Sequence, residues 1–116
     1  MFFNNPNCPL KSMKTKHVIL MNPFHIDSKD EKEFELAWVE CAQFLKKQDG
    51  YIHTSLHKAL DMEKSQYQYI NYAHWESPEK FQKAMTEMRN ISDCVKKMAQ
   101  IPHQNFPSLY KVHIEM

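Results

Sequence analysis

The chain is predicted to fold as an α+β domain on the split βαβ, ferredoxin-like plan, with one four-stranded antiparallel sheet and its helices on one face. Three observations predict it. The hydrophobic patterns run strand, helix, strand, strand, helix, strand. The two middle strand patterns are joined by a short polar connector, so they can pair directly. At 116 residues and 42% hydrophobic, the chain supports one core and one domain.

Each element has a local cause. Residues 1–15 hold Asn-Asn-Pro-Asn and Cys-Pro without periodicity, and read as a flexible extension to a domain over 16–116. His17 to Ile26 reads as the first strand, apolar on both faces; Pro23 inside it removes a ladder donor and implies a bulge or an unpaired stretch. Ser28 and Glu31 match a capping box. Phe34, Ala37, Trp38, Cys41, Phe44 and Leu45 then form one apolar stripe on a helix ending near Gln48, with Gly50 supplying the turn. Tyr51 to Leu60 is the second strand, Asp61 to Ser65 the connector, and Gln66 to Glu76 the third strand. Ser77 caps the second helix, Pro78 opens it, and Phe81, Ala84, Met85 and Met88 are its stripe. A shorter helix spans Ser92 to about Gln100, and Leu109 to Ile114 is the last strand.

Composition excludes several functions. The formal charge is +1, so there is no basic footprint for nucleic acid. Gly50 is the single glycine, and a phosphate-cradling loop needs several. Cys8, Cys41 and Cys94 are widely spaced, without a C-x-x-C pair, which points to a reducing compartment, hence the cytoplasm, with Cys41 and Cys94 as core thiols on apolar helix faces. The longest apolar run, Val18 to Met21, is far too short to span a membrane. His53 and His57, four apart on a strand, have Cα atoms ~13 Å apart and cannot share an ion. No tightly bound metal, flavin or haem is expected.

The segments V-I-L-M-N-P-F (18–24), the acidic first helix with Trp38, D-G-Y-I-H-T-S-L-H (49–57) and N-Y-A-H-W-E-S-P-E-K-F (71–81) resemble the antibiotic biosynthesis monooxygenase family of dimeric α/β barrels. The resemblance covers roughly residues 17 to 90. It implies a homodimer joined sheet to sheet, and oxidation of small aromatics. Asn71 with Trp75 matches the pair that the quinone-forming members carry on strand three; Phe81 and Val95 stand near the places of their Tyr and Arg. Asn22 matches the strand-one Asn of the haem-degrading members; Ala84 and Cys94 stand near their Trp and their haem-ligating His.

Regular antiparallel pairing sets odd residues of strand two against odd residues of strand three. Tyr51, His53, Ser55 and His57 would then share a face with Tyr69, Asn71, Ala73 and Trp75. The resemblance turns this face to the helices, with Asn22 beside it. The candidate catalytic residues are therefore Asn22, Asn71, Trp75, His53 and His57, with Phe24, Tyr69 and Phe81 as ligand contacts. A histidine would take a phenolic proton, the two amides would hold the oxyanion, and Trp75 would stack on the ring. The expected function is cofactor-independent oxygenation of a small electron-rich aromatic or quinol. The alternative is a non-catalytic dimer that binds a small ligand or serves in stress, with these groups merely bonded to one another. The opposite face would carry Ile19, Met21, Ile52, Thr54, Leu56, Ile70 and Tyr72, too apolar to leave wet, and a second copy of the chain is the expected cover.

Overall fold

The computed structural model describes residues 16–116, so the proposed extension at 1–15 lies outside the described residues. The order is β1 (Val18–His25), α1 (Glu31–Leu45), β2 (Tyr51–Lys58), β3 (Tyr69–Trp75), α2 (Pro78–Ile91), α3 (Cys94–Ala99), β4 (Gln104–Asn105) and β5 (Ser108–Tyr110). One antiparallel sheet runs β2-β3-β1-β4, and β5 also pairs with β1. The α+β, ferredoxin-like plan is thus the observed one, with five strands in place of four.

The fifth strand comes from the proline region. The single last strand expected over 109–114 is instead two short pieces, separated by Phe106 and Pro107. β5 pairs with Ile19–Met21 and β4 with Phe24–His25. Pro23 falls in the gap between them, where no ladder donor is required. Its carbonyl accepts from Phe106 N–H at 3.1 Å. On the other edge, Pro23 keeps regular register with Ile70. Pro23 therefore leaves β1 unbroken and splits its outer neighbour.

The helix starts differ from one another. Ser77 caps α2 as expected, its hydroxyl accepting from Lys80 N–H at 3.2 Å. The capping box at Ser28 does not form: Ser28–Asp30 is a 3₁₀ turn, closed by Asp30 N–H on the Asp27 carbonyl at 3.0 Å, and α1 begins only at Glu31. Gly50 turns the chain into β2 at φ +91°, a region that glycine enters without cost. A Cβ there would meet the Cβ of Lys80 at 2.6 Å.

The core has two centres along β1 and β3. One joins Phe24, Ile26, Phe34, Ala37, Tyr69 and Ile101. The other joins Val18, Leu20, Ala73, Trp75 and Ala84. Between them, directly opposite each other on neighbouring strands, stand Asn22 and Asn71. The apolar packing is interrupted at the one place where two amides share the helix-facing side of the sheet.

Candidate functional site

That interruption is a cavity of about 300 Å³ between the sheet and the three helices. β1 contributes Leu20, Asn22 and Phe24, and β3 contributes Asn71, Ala73 and Trp75, as alternation requires. Trp38 and Cys41 of α1 close one side. The α2–α3 wall presents Phe81, Met85, Met88, Val95 and Met98, with no imidazole or carboxylate. Trp75 is almost fully buried, wedged edge-on between Tyr51 and Phe81 at ring-centre distances of 5.7 and 5.8 Å. The two rings fix the indole in one orientation on the cavity wall.

The two amides differ in their partners. Asn71 Oδ1 is 3.2 Å from the Thr54 hydroxyl, whose single hydrogen also has the Tyr72 carbonyl at 2.9 Å. The amide of Asn71 is thus tethered towards β2 on its oxygen side, with its NH2 group on the opposite edge. Asn22 Oδ1 is buried and has no hydrogen-bond partner among the described residues. A buried polar atom left unpaired costs about 1–3 kcal/mol. A ligand hydroxyl in the cavity would remove that cost.

Of the expected site residues, Asn22, Phe24, Asn71, Trp75 and Phe81 all line the cavity. The two histidines do not. A β-bulge between Tyr51 and His53 breaks the odd-to-odd register: Tyr51 opposes Trp75, but His53 opposes His74 and His57 opposes Ile70. Both imidazoles turn to the opposite face, where each meets the Tyr72 ring at 6.3 Å. The bulge brings Thr54 and Leu56 inward instead, and Leu56 packs on the Phe24–Tyr69 centre. Burying a leucine while keeping two imidazoles out is the lower-energy register. One extra residue therefore reverses the parity of the whole strand.

Tyr69 is also displaced from the expected role. It is almost fully buried in the core and does not line the cavity. Its hydroxyl donates to Glu35 Oε2 at 2.5 Å, and burial followed by that carboxylate pushes the phenol well above its usual range. Tyr69 thus anchors α1 to β3, and Glu35 and Glu31 also pair with Lys58 of the edge strand β2. Cys41 lies on the wall next to buried Cys94, and burial holds its thiol well above the ordinary thiol range.

One wall residue carries chemistry that strand parity could not reveal. His103 lines the cavity from the segment between α3 and β4. Its ring lies 5.7 Å from that of Phe24, and its Nδ1 is 2.6 Å from the Ile101 carbonyl. The signal in the sequence was faint: an imidazole directly after Pro102, in a stretch without periodicity. Among the described residues, no three His, Cys, Asp or Glu side chains are grouped to hold a metal ion. No helix among them is long and apolar enough to cross a membrane.

Fold and cavity together define a small α+β protein with a cavity between sheet and helices. The chain belongs to the antibiotic biosynthesis monooxygenase family, whose profile matches residues 17–88. It is similar in structure to a candidate monooxygenase from Shewanella loihica PV-4, at 29% identity and a TM-score of 0.73, covering 86% of this chain and 97% of that one. It shares its fold with SnoaB, a cofactor-independent oxygenase from Streptomyces nogalater, at 19% identity and TM-score 0.72, over 87% and 97% of the two chains. A mutant of MhuD, solved with two manganese protoporphyrin IX molecules per active site, has the same fold at 17% identity and TM-score 0.69, over 85% and 97%. No curated protein sequence matches the chain.

Proposed function

We propose that the cavity binds a small electron-rich aromatic, a phenol or quinol, and that the protein oxygenates it with dioxygen without a cofactor. The observation that carries this reading is the amide pair: Asn22 and Asn71 face each other across β1 and β3 inside an apolar chamber, and Asn22 Oδ1 lacks a partner. Membership of a monooxygenase family and likeness in fold to a cofactor-independent oxygenase support it.

The chemistry uses the substrate as its own reductant. A base on the wall removes the phenolic proton, and the NH2 of Asn71 donates to the oxyanion. Trp75 holds the ring. The phenolate gives one electron to dioxygen, and the resulting radical pair joins in a carbon–oxygen bond at the ring position para to the oxyanion. Proton transfer to the distal peroxide oxygen and loss of the ring C–H proton break the oxygen–oxygen bond. One oxygen atom stays as the new carbonyl of a quinone, and the other leaves as water.

One observation favours a second reading. Phe81 and Val95 line the wall near the places where the quinone-forming members carry Tyr and Arg, so part of that polar machinery is absent. A binding module for the same aromatic class would need only the amides and the indole. We further propose that the protein works as a homodimer in the cytoplasm, joined through the exposed sheet face.

Oxygen uptake with 1-naphthol and 1-anthrol, each with a hydrogen para to the hydroxyl, separates the two. Uptake above the uncatalysed rate supports the oxygenase. Binding without uptake leaves the binding module. Asn71→Ala should lower kcat by about 2.7–4 kcal/mol of transition-state stabilisation. Thr54 retains the Tyr72 carbonyl in that variant, so the melting temperature should change little. An unchanged rate with a lowered melting point would remove Asn71 from the site.

A further inference from the structure

We infer that His103 is the general base of this cavity, an assignment that rests on the oxygenase reading. Of the seven histidines in the chain, His103 alone lines the chamber. The others are spent elsewhere. His17 and His74 contact each other at 3.0 Å, His25 meets the Gln66 carbonyl, and His53 and His57 flank Tyr72 on the far side of the sheet. His113 lies beyond β5, exposed.

The geometry sets the tautomer. A carbonyl oxygen only accepts, so the 2.6 Å contact to Ile101 requires the hydrogen on Nδ1. Nε2 is then the acceptor, the form a base needs. The donor site is anchored from both sides. Ile101 is buried in the core, and its own N–H donates to the Met98 carbonyl at 3.1 Å. Directly after His103, β4 is pinned to Phe24 and His25.

The surroundings leave this role to His103. Among the described wall residues, the other titratable groups are Cys41 from α1 and Tyr51 from β2. The sheet strands β1 and β3 and helices α2 and α3 contribute no charged or titratable side chain. Cys41 is held as a thiol by burial, and a neutral phenol donates rather than takes a proton. The position also suits a shared substrate. His103 packs against Phe24, which stands two residues from Asn22 on the same strand face, about 7 Å along it. A bicyclic phenol with its ring against Trp75 and its hydroxyl at the amides would present that hydroxyl on the His103 side of the chamber. The substrate O–H bond breaks with its electron pair kept on oxygen, and an N–H bond forms at Nε2. That proton passes from Nε2 to solvent, and the peroxide takes one proton from solvent, so the overall count is unchanged.

The test pairs His103→Asn with the wild type. Asparagine keeps an N–H near the Nδ1 position for Ile101 and removes the base, and His103→Gln provides a second shape should the first fail to fold. With 1-naphthol, the variant should lose on the order of 10²-fold in kcat. Its kcat/KM profile should lose the acid limb shown by the wild type, and added imidazole should restore part of the rate. A variant that keeps both rate and acid limb overturns the assignment while the oxygenase reading stands. If the wild type consumes no oxygen, that reading fails, and anaerobic titration with 4-nitrophenol decides the assignment by itself. A larger fraction of bound yellow phenolate in the wild type than in His103→Asn supports the base, and equal fractions overturn it.

Discussion

Side chains that look alike in sequence are separated here by what they touch. Tyr69 and Trp75 are both almost fully buried on the same strand face, yet only Trp75 reaches the chamber. Tyr69 instead gives its hydrogen to Glu35 and ties α1 to β3. This bond has a signature in pH. The phenol of Tyr69 is raised in the folded state, so its neutral form is favoured there. Above the unfolded phenol value of about 10, the unfolded chain loses the proton first, and stability falls as pH rises; below about pH 10 the contribution is fully present. Tyr69→Phe should therefore cost about 1.5 kcal/mol at neutral pH, the low end for a bond to a partly exposed carboxylate. It should also flatten the loss of stability above pH 10. Chemical denaturation of both proteins at pH 7 and pH 10.5 checks this, and parallel pH dependence would mean that Tyr69 packs without the bond mattering.

At the scale of elements, β2 shows what was legible and what was not. Alternation put Asn71 and Trp75 on one face and the family resemblance set Asn22 beside them, and β1 and β3 do pair without a slip from Val18↔Trp75 to Phe24↔Tyr69. The same rule failed for His53 and His57 because the bulge adds one residue after Tyr51. Nothing in Tyr-Ile-His-Thr marks a bulge: it carries no glycine and no proline. The cue was energetic. Regular pairing would have sent Leu56 out and two imidazoles in, whereas the bulged register buries Leu56 and lets Tyr51 still meet Trp75. His103 was missed for another reason, since it lies on no periodic element and its place is set by long-range docking of β4 on β1. The bulged register predicts that Leu56→Ala lowers stability by about 2 kcal/mol, the low end for a half-buried leucine, while Ser55→Ala changes it by less than about 0.5 kcal/mol. Urea unfolding of the two variants measures this. Equal, small effects would restore the unbulged register.

For the whole molecule, the open question is what covers the far face of the sheet. The bulge changes that face. Thr54 and Leu56 leave it, and His53, Ser55 and His57 join Ile19, Met21, Ile70 and Tyr72. Met21 and Ile70 are each 41% exposed, and Ile52 39%. The chain beyond β5 adds a second unfinished feature. Val112 and Ile114 alternate with polar residues, as in a strand, yet residues 111–116 pair with nothing among the described residues and are exposed. A second copy of the chain is the cover proposed for this face. Full burial of a side chain such as Ile70 contributes roughly 1.5–3 kcal/mol, and several together, counted twice by symmetry, exceed the cost of association. Sedimentation at micromolar concentration should therefore show a dimer. Ile70→Asp should give monomer or aggregate, and removal of residues 111–116 should weaken the dimer without emptying the cavity, whose described wall ends at Asn105. A wild-type monomer at that concentration would refute the sheet-to-sheet arrangement, and a stable dimer of Ile70→Asp would move the interface elsewhere.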